Sequence, residues 1–147
     1  MEITLKVRNK TVDKKSVNCA NSSVVVLPVK NMKLWSPEDP FLYDLVYQVK
    51  DAKGNVLDEV KSYAGMRKVH TANGRFYLNN QPYFQRLVLD QGFYPDGIWT
   101  APSDEDLKND IVLGKEAGFN GARLHKKVFE ESFYTWHDNV GSRPWGQ

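Results

Sequence analysis

One stretch, Gly74–Gly92 (GRFYLNNQPYFQRLVLDQG), separates a part of the chain with the two-residue period of β-strands from a part with strand and helix periods. Its first half predicts a hairpin, because Asn79-Asn80 tolerates positive φ between two aromatic runs. From Phe84 to Leu89 the apolar residues are nearly continuous, which is typical of a strand buried on both faces. Asp90 follows at the carboxyl end of this strand, where α/β proteins gather their ligand chemistry. The stretch therefore predicts a junction between an all-β part and an alternating β and α part.

The residues before the junction predict antiparallel strands, because apolar and polar side chains alternate in short runs separated by turn residues. Gly54, in the loop between the last two runs, is expected to be left-handed. Residues 1–70 therefore predict four or five strands of a β-sandwich, short of strands at its N-terminal side, with Trp35 in its core. The runs are Ile3–Val7, Ser23–Val29, Leu42–Val49 and one that begins with Val56–Tyr63 and continues extended to His70.

The residues after the junction predict two strand–helix units. Ser103, with Asp106 three residues on, predicts the start of a helix of about four turns, which Gly118 ends. A short strand is predicted over Phe119–Leu124, and a second helix over residues 130–140. This order is typical of a parallel sheet or barrel. The tail after the second helix lacks the apolar pattern of a third strand. The apolar face of that helix carries Phe129, Phe133, Trp136 and Val140, whereas His70 and His137 are expected at the surface or in linkers.

Composition and charge exclude several classes of function. The formal net charge of +2 is small and scattered, which argues against a nucleic-acid or membrane-surface partner. No apolar run approaches the roughly 20 residues of a membrane span, and the N-terminus lacks the pattern of a signal peptide. The single cysteine, Cys19, cannot form an internal disulfide, and no His, Cys or carboxylate group has metal-ligand spacing. We therefore expect no metal site.

Four strings follow one another in a fixed order: LWSPEDPFLYDL (34–45), SYAGMRKV (62–69), GRFYLNNQPYFQRLVLDQG (74–92) and EAGFNGARLH (116–125). Together they resemble glycoside hydrolase family 2, the β-galactosidase and β-glucuronidase family. The resemblance covers about residues 34–141 and implies an α+β fold. Residues 1–70 would form a partial immunoglobulin-like antiparallel β-sandwich, and residues 71–147 the first two βα units of a truncated (β/α)8 catalytic barrel.

The resemblance also implies a reaction, the retaining hydrolysis of a β-glycosidic bond, which needs two carboxylates about 5 Å apart. In the family, these glutamates follow the fourth and seventh barrel strands, which this chain does not reach. The implied function is that of a fragment of a β-galactosidase-like enzyme, inactive alone and with no catalytic residue of its own. The parent enzyme would act on a carbohydrate substrate in the bacterial cytoplasm or periplasm, with no organic cofactor.

Four residues are candidates for substrate binding: Arg123, His125, Asp90 and Trp99. Arg123 and His125 are alternate residues that face the same way, and the resemblance assigns them to an Arg-x-His pair lining the sugar pocket. Alternatively, Arg123 bridges to a carboxylate and His125 caps its strand. Asp90 could bond a sugar hydroxyl, orient Arg123, or only close a turn with its own backbone. Trp99 lies on the long loop after Asp90 and could stack on a sugar or on a neighbouring domain.

Two other interpretations stay open. A non-catalytic carbohydrate-binding module would use the same aromatic and polar side chains to bind a sugar. An interaction domain would self-associate through the apolar strand edges and helix faces that a truncated barrel exposes.

Overall fold

Ten strands and two helices form the secondary structure of the computed structural model, which describes residues 1–146. The chain divides into two units. Unit 1 contains residues 1–34 and 42–66, and unit 2 contains residues 35–41 and the chain from Arg67 onward. Neither of the two helices in the described part is long and apolar enough to cross a membrane.

Unit 1 is built on one antiparallel sheet with the strand order β2-β1-β3-β4. Its centre is apolar, since Ile3 and Leu5 on β1 are only 5% and 2% exposed. Arg8 and Asn9 both have positive φ and turn β1 into β2, as a tight hairpin requires. The strands are β1 (Glu2–Val7), β2 (Lys10–Ser16), β3 (Tyr43–Lys50) and β4 (Val56–Ala64).

Three of the four predicted strands in this part are confirmed, and so is the left-handed Gly54, with φ 89°. The predicted strand over Ser23–Val29 is wrong, because residues 17–42 contain no strand. Val25, Leu27 and Val29 are partly covered while the residues between them are exposed. The two-residue period therefore reports an extended segment with one covered side, not a strand paired in a sheet.

Unit 2 contains two small sheets and both helices. An antiparallel sheet has the order β5-β6-β7, and a parallel sheet has the order β10-β9-β8. Asn79 and Asn80 have φ of 52° and 66° between β6 and β7, which confirms the predicted hairpin. The elements are β5 (Val69–Ala72), β6 (Arg75–Leu78), β7 (Gln81–Pro82), β8 (Leu87–Asp90), α1 (Asp104–Glu116), β9 (Gly121–Leu124), α2 (Glu131–Val140) and β10 (Arg143–Gly146).

Both helices pack on one side of the parallel sheet and form the core of unit 2. Ser103 caps α1 as predicted, accepting a hydrogen bond from the backbone N–H of Asp106, and Gly118 follows the helix with φ 90°. Trp136 packs against this core, as expected from the helix pattern. The buried members of the core are Leu107, Ile111, Ala122, Leu124, Phe129 and Phe133.

The tail contains a third parallel strand, β10, so the prediction that it lacks one is wrong. Only glycine fits at position 121 on the neighbouring strand, because a Cβ there would collide with the carbonyl oxygen of Arg143 and lie 2.8 Å from Leu87. A hydrophobicity pattern cannot show this close approach of two backbones. The sequence of β10 mixes polar and apolar residues and therefore did not indicate a strand.

Strand β8 is shorter and less buried than predicted. It begins only at Leu87, and the exposed fractions of Phe84 and Leu89 are 80% and 54%. Helices cover one face of the parallel sheet, so alternate side chains of β8 point away from them. Among the described residues, the apolar run Phe84–Leu89 is therefore not buried on both faces of the sheet.

Two aromatic rings occupy other places than expected. Trp35, expected in the sandwich core, belongs to unit 2 and is 0% exposed. Its indole N–H donates to the carbonyl oxygen of Asp138 at 2.8 Å, and the guanidinium of Arg67 lies 4.5 Å from its ring centroid. His137 is 1% exposed on the inner face of α2 instead of at the surface. His70 is half-buried and stacks on Tyr77.

Candidate functional site

The parallel sheet has one face covered by the helices and one face turned away from them, which we call the open face. Register places Leu89, Arg123 and Trp145 side by side on the open face, one from each strand. Asp90 pairs with Leu124, which is buried in the helix-covered core, so these two residues belong to the covered face. Strand alternation therefore separates Arg123 from Asp90. The open face consists of Leu87, Leu89, Gly121, Arg123, Arg143 and Trp145.

Arg123 is half-buried on the central strand β9, and its guanidinium forms no hydrogen bond or ion pair with residues 1–146. The alternative in which Arg123 bridges to a carboxylate is therefore not formed within this part of the chain. A guanidinium has five N–H donors and accepts nothing, so this side chain has its full donor capacity for a ligand.

His125 lies just past the same strand and is fixed at two points. Its backbone N–H donates to the carbonyl oxygen of Asp90 at 2.9 Å, which extends the β8–β9 pairing by one bond. Its Nδ1 lies 3.2 Å from the amide nitrogen of Gln91. When that amide donates to Nδ1, the ring proton is on Nε2, which can then donate to a ligand oxygen. Gln91 is a residue that the sequence analysis did not select, and only its position between Asp90 and Gly92 signalled it.

Asp90 closes a turn with its own backbone. Its Oδ1 accepts a hydrogen bond from the Gly92 N–H at 2.8 Å, and it does not orient Arg123. Burial raises the pKa of this carboxyl, the Gly92 hydrogen bond opposes the rise, and the nearby Asp110 adds to it. A role for Asp90 in binding a sugar stays a prediction.

A polar cluster behind Asp90 lies on the covered side of the sheet. The Tyr94 hydroxyl donates to Asp110 Oδ2 at 2.7 Å, and burial together with this carboxylate raises the pKa of Tyr94. A cavity of about 20 Å³ separates the helices from the sheet here and is lined by Asp90, Asp110 and His137. Asp110 is exposed and Tyr94 is half-buried. The other cavity-lining residues include Ile111, Ala122 and Phe133 of the unit 2 core, so we assign the cluster to the packing of that unit.

Trp99 is 52% exposed on the loop that follows β8, and its ring centroid lies 5.8 Å from that of Phe93, which is 61% exposed. Hydrogen bonds hold the loop next to each of these two rings. Tyr94 and Ile98 exchange two backbone hydrogen bonds, and the Lys127 ammonium donates to the carbonyl oxygen of Trp99 at 2.6 Å. Two exposed rings on an ordered loop suit stacking on the C–H face of a sugar.

Chemically, this arrangement can bind and orient a polar ligand. None of the open-face residues carries a carboxylate. Among residues 1–146, no group of three or more His, Cys, Asp or Glu side chains could hold a metal ion.

Comparison with known proteins finds similarity to enzymes that are named for cleaving sugar derivatives, β-galactosidases and β-glucuronidases. The sequence profile of the Glycosyl hydrolases family 2 matches residues 1–67. A β-galactosidase of Leuconostoc mesenteroides is 34% identical over 139 residues, which are 90% of this chain and 12% of that enzyme. A β-galactosidase of Pseudoalteromonas haloplanktis is 33% identical over 135 residues, with 90% and 13% covered. The chain thus spans about an eighth of the length of these relatives.

Solved structures share the fold of the chain. A β-glucuronidase of Ruminococcus gnavus in complex with D-glucuronic acid matches 99% of this chain and 24% of its own, with a TM-score of 0.88 and 22% identity. A β-D-glucuronidase of Dictyoglomus thermophilum matches the same shares, with a TM-score of 0.85 and 24% identity. These similarities extend through both units, since almost the whole chain is covered.

Proposed function

Because the chain belongs to glycosyl hydrolase family 2, we propose that it is part of a retaining β-glycosidase that cleaves β-galactosides. The β-galactosidases support this substrate, since their identity to the chain is 34% and 33%. The β-glucuronidases, at 22% and 24% identity, support the fold alone. A β-glucuronide is therefore the second candidate substrate.

We assign unit 1 to a partial immunoglobulin-like sandwich and the strands β8–β10 with α1 and α2 to the start of a (β/α)8 barrel. Parallel strands that alternate with helices on one face support the barrel assignment. In a closed barrel, the open face would be the interior, and the carboxyl ends of the strands would form the substrate end. Arg123, His125 and Trp99 all lie at or beyond those ends.

The observation that carries the proposal is the unpartnered guanidinium of Arg123, followed two residues later by His125, whose ring contacts Gln91. Arg123 would donate to hydroxyl oxygens of the bound sugar. His125 would donate through Nε2, and Trp99 would stack on the sugar ring. A half-buried cation without an acceptor gains most from such a ligand, because hydrogen bonds from charged groups are the strong ones.

The chain alone would not hydrolyse its substrate. Retaining hydrolysis needs two carboxylates about 5 Å apart, and no open-face residue is a carboxylate. The acid–base and nucleophile glutamates would come from later barrel strands of a longer protein. In that protein, we expect an Asn-Glu pair at the end of a strand downstream of this segment.

The first test is hydrolysis of aryl β-galactoside and aryl β-glucuronide by the purified chain. We expect no turnover of either substrate. Turnover that copurifies with the chain and disappears in the Arg123→Met variant would contradict the proposed inactivity.

The second test uses the longer enzyme. We expect Arg123→Met to lower kcat/KM for the aryl β-galactoside by about 10- to 100-fold, the range for losing a hydrogen bond from a charged group. Arg75→Met is the matched control, since Arg75 is an exposed residue of the β6 hairpin, and it should leave kcat/KM unchanged. Equal effects of the two substitutions would count against a role of Arg123 in the site.

A second candidate function, a non-catalytic carbohydrate-binding module, is favoured by the exposed Phe93 and Trp99 rings. Titration of the chain with galactose, glucuronate and oligosaccharides separates the two functions. The glycosidase proposal expects no saturable binding, because the chain would contain only part of the pocket. Saturable binding that Trp99→Ala abolishes, with an unchanged circular dichroism spectrum, would favour the binding module.

A further inference from the structure

Strand β4 is a long and exposed edge of the sheet in unit 1. It has nine residues, of which the first seven are exposed, and it has a strand neighbour, β3, on one side only among the described residues. The exposed fractions of Val56, Leu57 and Val60 are 50%, 67% and 54%. The outer side of such a strand carries unpaired backbone N–H and C=O groups, which can pair with another strand.

The two edge strands of this sheet, β2 and β4, differ in the charged residues that oppose pairing with another chain. The opposite edge, β2, carries lysines at positions 10, 14 and 15, and lysine side chains on an edge strand oppose its pairing with another chain. β2 also contains Asp13, but its lysines are in excess. β4 instead carries Asp58 and Glu59 with a single lysine, Lys61, between apolar residues. This edge therefore lacks the excess of lysines that protects β2.

The sequence of β4 is complementary to itself in the antiparallel direction. When two copies are aligned about Val60, Glu59 of each copy stands opposite Lys61 of the other. In the same alignment Leu57 stands opposite Tyr63, and the two Val60 side chains meet at the centre. Opposite-charge and apolar pairs are the cross-strand pairs that stabilise a sheet.

Geometry selects this alignment over its neighbours. A two-fold axis perpendicular to the sheet keeps each face continuous, so odd residues pair with odd residues and even with even. The next allowed alignment in one direction centres on Glu59 and sets two glutamates face to face. In the other direction it centres on Lys61 and sets two lysines face to face, and like charges directly opposite destabilise a sheet.

We propose that β4 is a self-association interface, where a second copy of this chain adds its own β4 antiparallel about Val60. The two four-stranded sheets then form one continuous eight-stranded sheet. The pairing satisfies the outer backbone groups of β4 and covers Leu57 and Val60 in both copies. This interface belongs to unit 1 and is independent of the open face and of the proposed function.

Sedimentation velocity of the full chain over a range of concentrations tests the proposal. We expect the mass to rise with concentration from 16.9 kDa toward twice this value. Glu59→Lys and Lys61→Glu each create two like-charge pairs in the dimer, so each should weaken association by roughly tenfold or more. The double variant, with both substitutions, restores opposite charges and should recover the affinity of the natural chain.

Mixing the two single variants gives the sharpest result. Glu59→Lys presents two lysines and Lys61→Glu presents two glutamates, so every charge pair between unlike copies is favourable. We expect the mixture to form a heterodimer that associates more tightly than either variant does alone. The circular dichroism spectra of the variants should match that of the natural chain, because both side chains are exposed.

Association through the apolar side chains near the open face is the competing outcome, and Phe84→Ser tests it because this ring is 80% exposed in unit 2. A monomer at all concentrations would overturn the proposal. So would a dimer that Phe84→Ser abolishes and that the two charge substitutions leave unchanged.

Discussion

His137 is a titratable residue held in the core with no partner for its ring. It is 1% exposed, and neither ring nitrogen has a hydrogen-bond partner in the described part of the chain. Its ring meets Phe133 edge to face, at 4.6 Å between centroids. Burial favours the neutral form and lowers the pKa of His137 from 6.5 to about 4.

This pKa makes the stability of the chain depend on pH. Between pH 6.5 and pH 4, the unfolded ring binds a proton that the folded ring excludes. The contribution of His137 is therefore complete above pH 6.5 and decreases as the pH falls toward 4. We expect a loss of about 2 kcal/mol in the free energy of unfolding between pH 7 and pH 5, measured by urea unfolding.

The His137→Leu variant is the control, because it removes the titrating ring and keeps an apolar side chain of similar size. The difference between the two proteins isolates His137 from Asp90 and Asp110, which line the same cavity. The raised pKa of Asp90 acts in the opposite direction, since the folded state binds its proton more tightly. A pH dependence that is identical in both proteins would contradict the prediction.

The sequence spacing indicated that His137 is buried, but histidine is a polar residue type and was therefore predicted at the surface. It follows Phe133 by four residues and so lies on the same helical face, which the structure buries. Burying an imidazole without a hydrogen-bond partner is unfavourable, so a prediction from residue types places a histidine at the surface. The candidate site shows the converse, because the strand register that places Arg123 on the open face separates it from Asp90. That His125 shares the face of Arg123 stays a prediction.

At the scale of elements, the two helices end in the same way but in different surroundings. Gly118 follows α1 with φ 90°, and no atom lies within 4 Å of the place that a Cβ would occupy. Gly141 follows α2 with φ 80°, but a Cβ there would collide with the carbonyl oxygen of Pro37 and lie 2.9 Å from the Lys115 ammonium. The two glycines thus separate the cost of a left-handed backbone from that of a steric clash.

We expect Gly118→Ala to lower the free energy of unfolding by about 1 kcal/mol, the cost of the left-handed conformation for a residue with a Cβ. Gly141→Ala should cost about 3 kcal/mol, because overpacking against the backbone adds to the same term. Urea unfolding followed by circular dichroism measures both variants. Equal costs would show that residues 35–41 move aside freely.

Elements with local chemical signals were the predictable ones. The start of α1 followed from the Ser103 cap, and the β6–β7 hairpin from two asparagines that accept positive φ. β10 was missed because its strand character depends on how closely its backbone approaches Gly121, a tertiary contact. Ser23–Val29 was wrongly predicted as a strand. An unpaired extended segment with one covered side has the same two-residue alternation in its sequence as a strand paired in a sheet.

For the whole molecule, Trp35 joins parts of unit 2 that are far apart in sequence. Its indole N–H donates to the Asp138 carbonyl oxygen near the end of α2, and its own carbonyl oxygen accepts from the Asn79 amide at 3.0 Å. Arg67 covers the ring and forms an ion pair with the Asp138 carboxylate at 2.7 Å. This ring therefore connects a loop, a hairpin and a helix end.

We expect Trp35→Phe to lower the free energy of unfolding by about 2 kcal/mol, from the lost hydrogen bond and the weaker contact with Arg67. Trp99→Phe is the matched control, because Trp99 is 52% exposed on its loop, and it should change the free energy of unfolding by less than about 0.5 kcal/mol. Far-UV circular dichroism in urea measures both variants without relying on tryptophan fluorescence. A cost of Trp35→Phe no larger than that of the control would contradict the prediction.

The position of Trp35 limits how this polypeptide can be dissected. Residues 35–41 lie in sequence between two segments of unit 1 and yet belong to unit 2. A protein engineer who expressed only the chain from Arg67 onward would therefore leave out the ring that fills the space beside Asp138, together with its hydrogen bonds. To obtain unit 2 by itself, residues 35–41 would have to be supplied as a separate peptide or joined through a new linker.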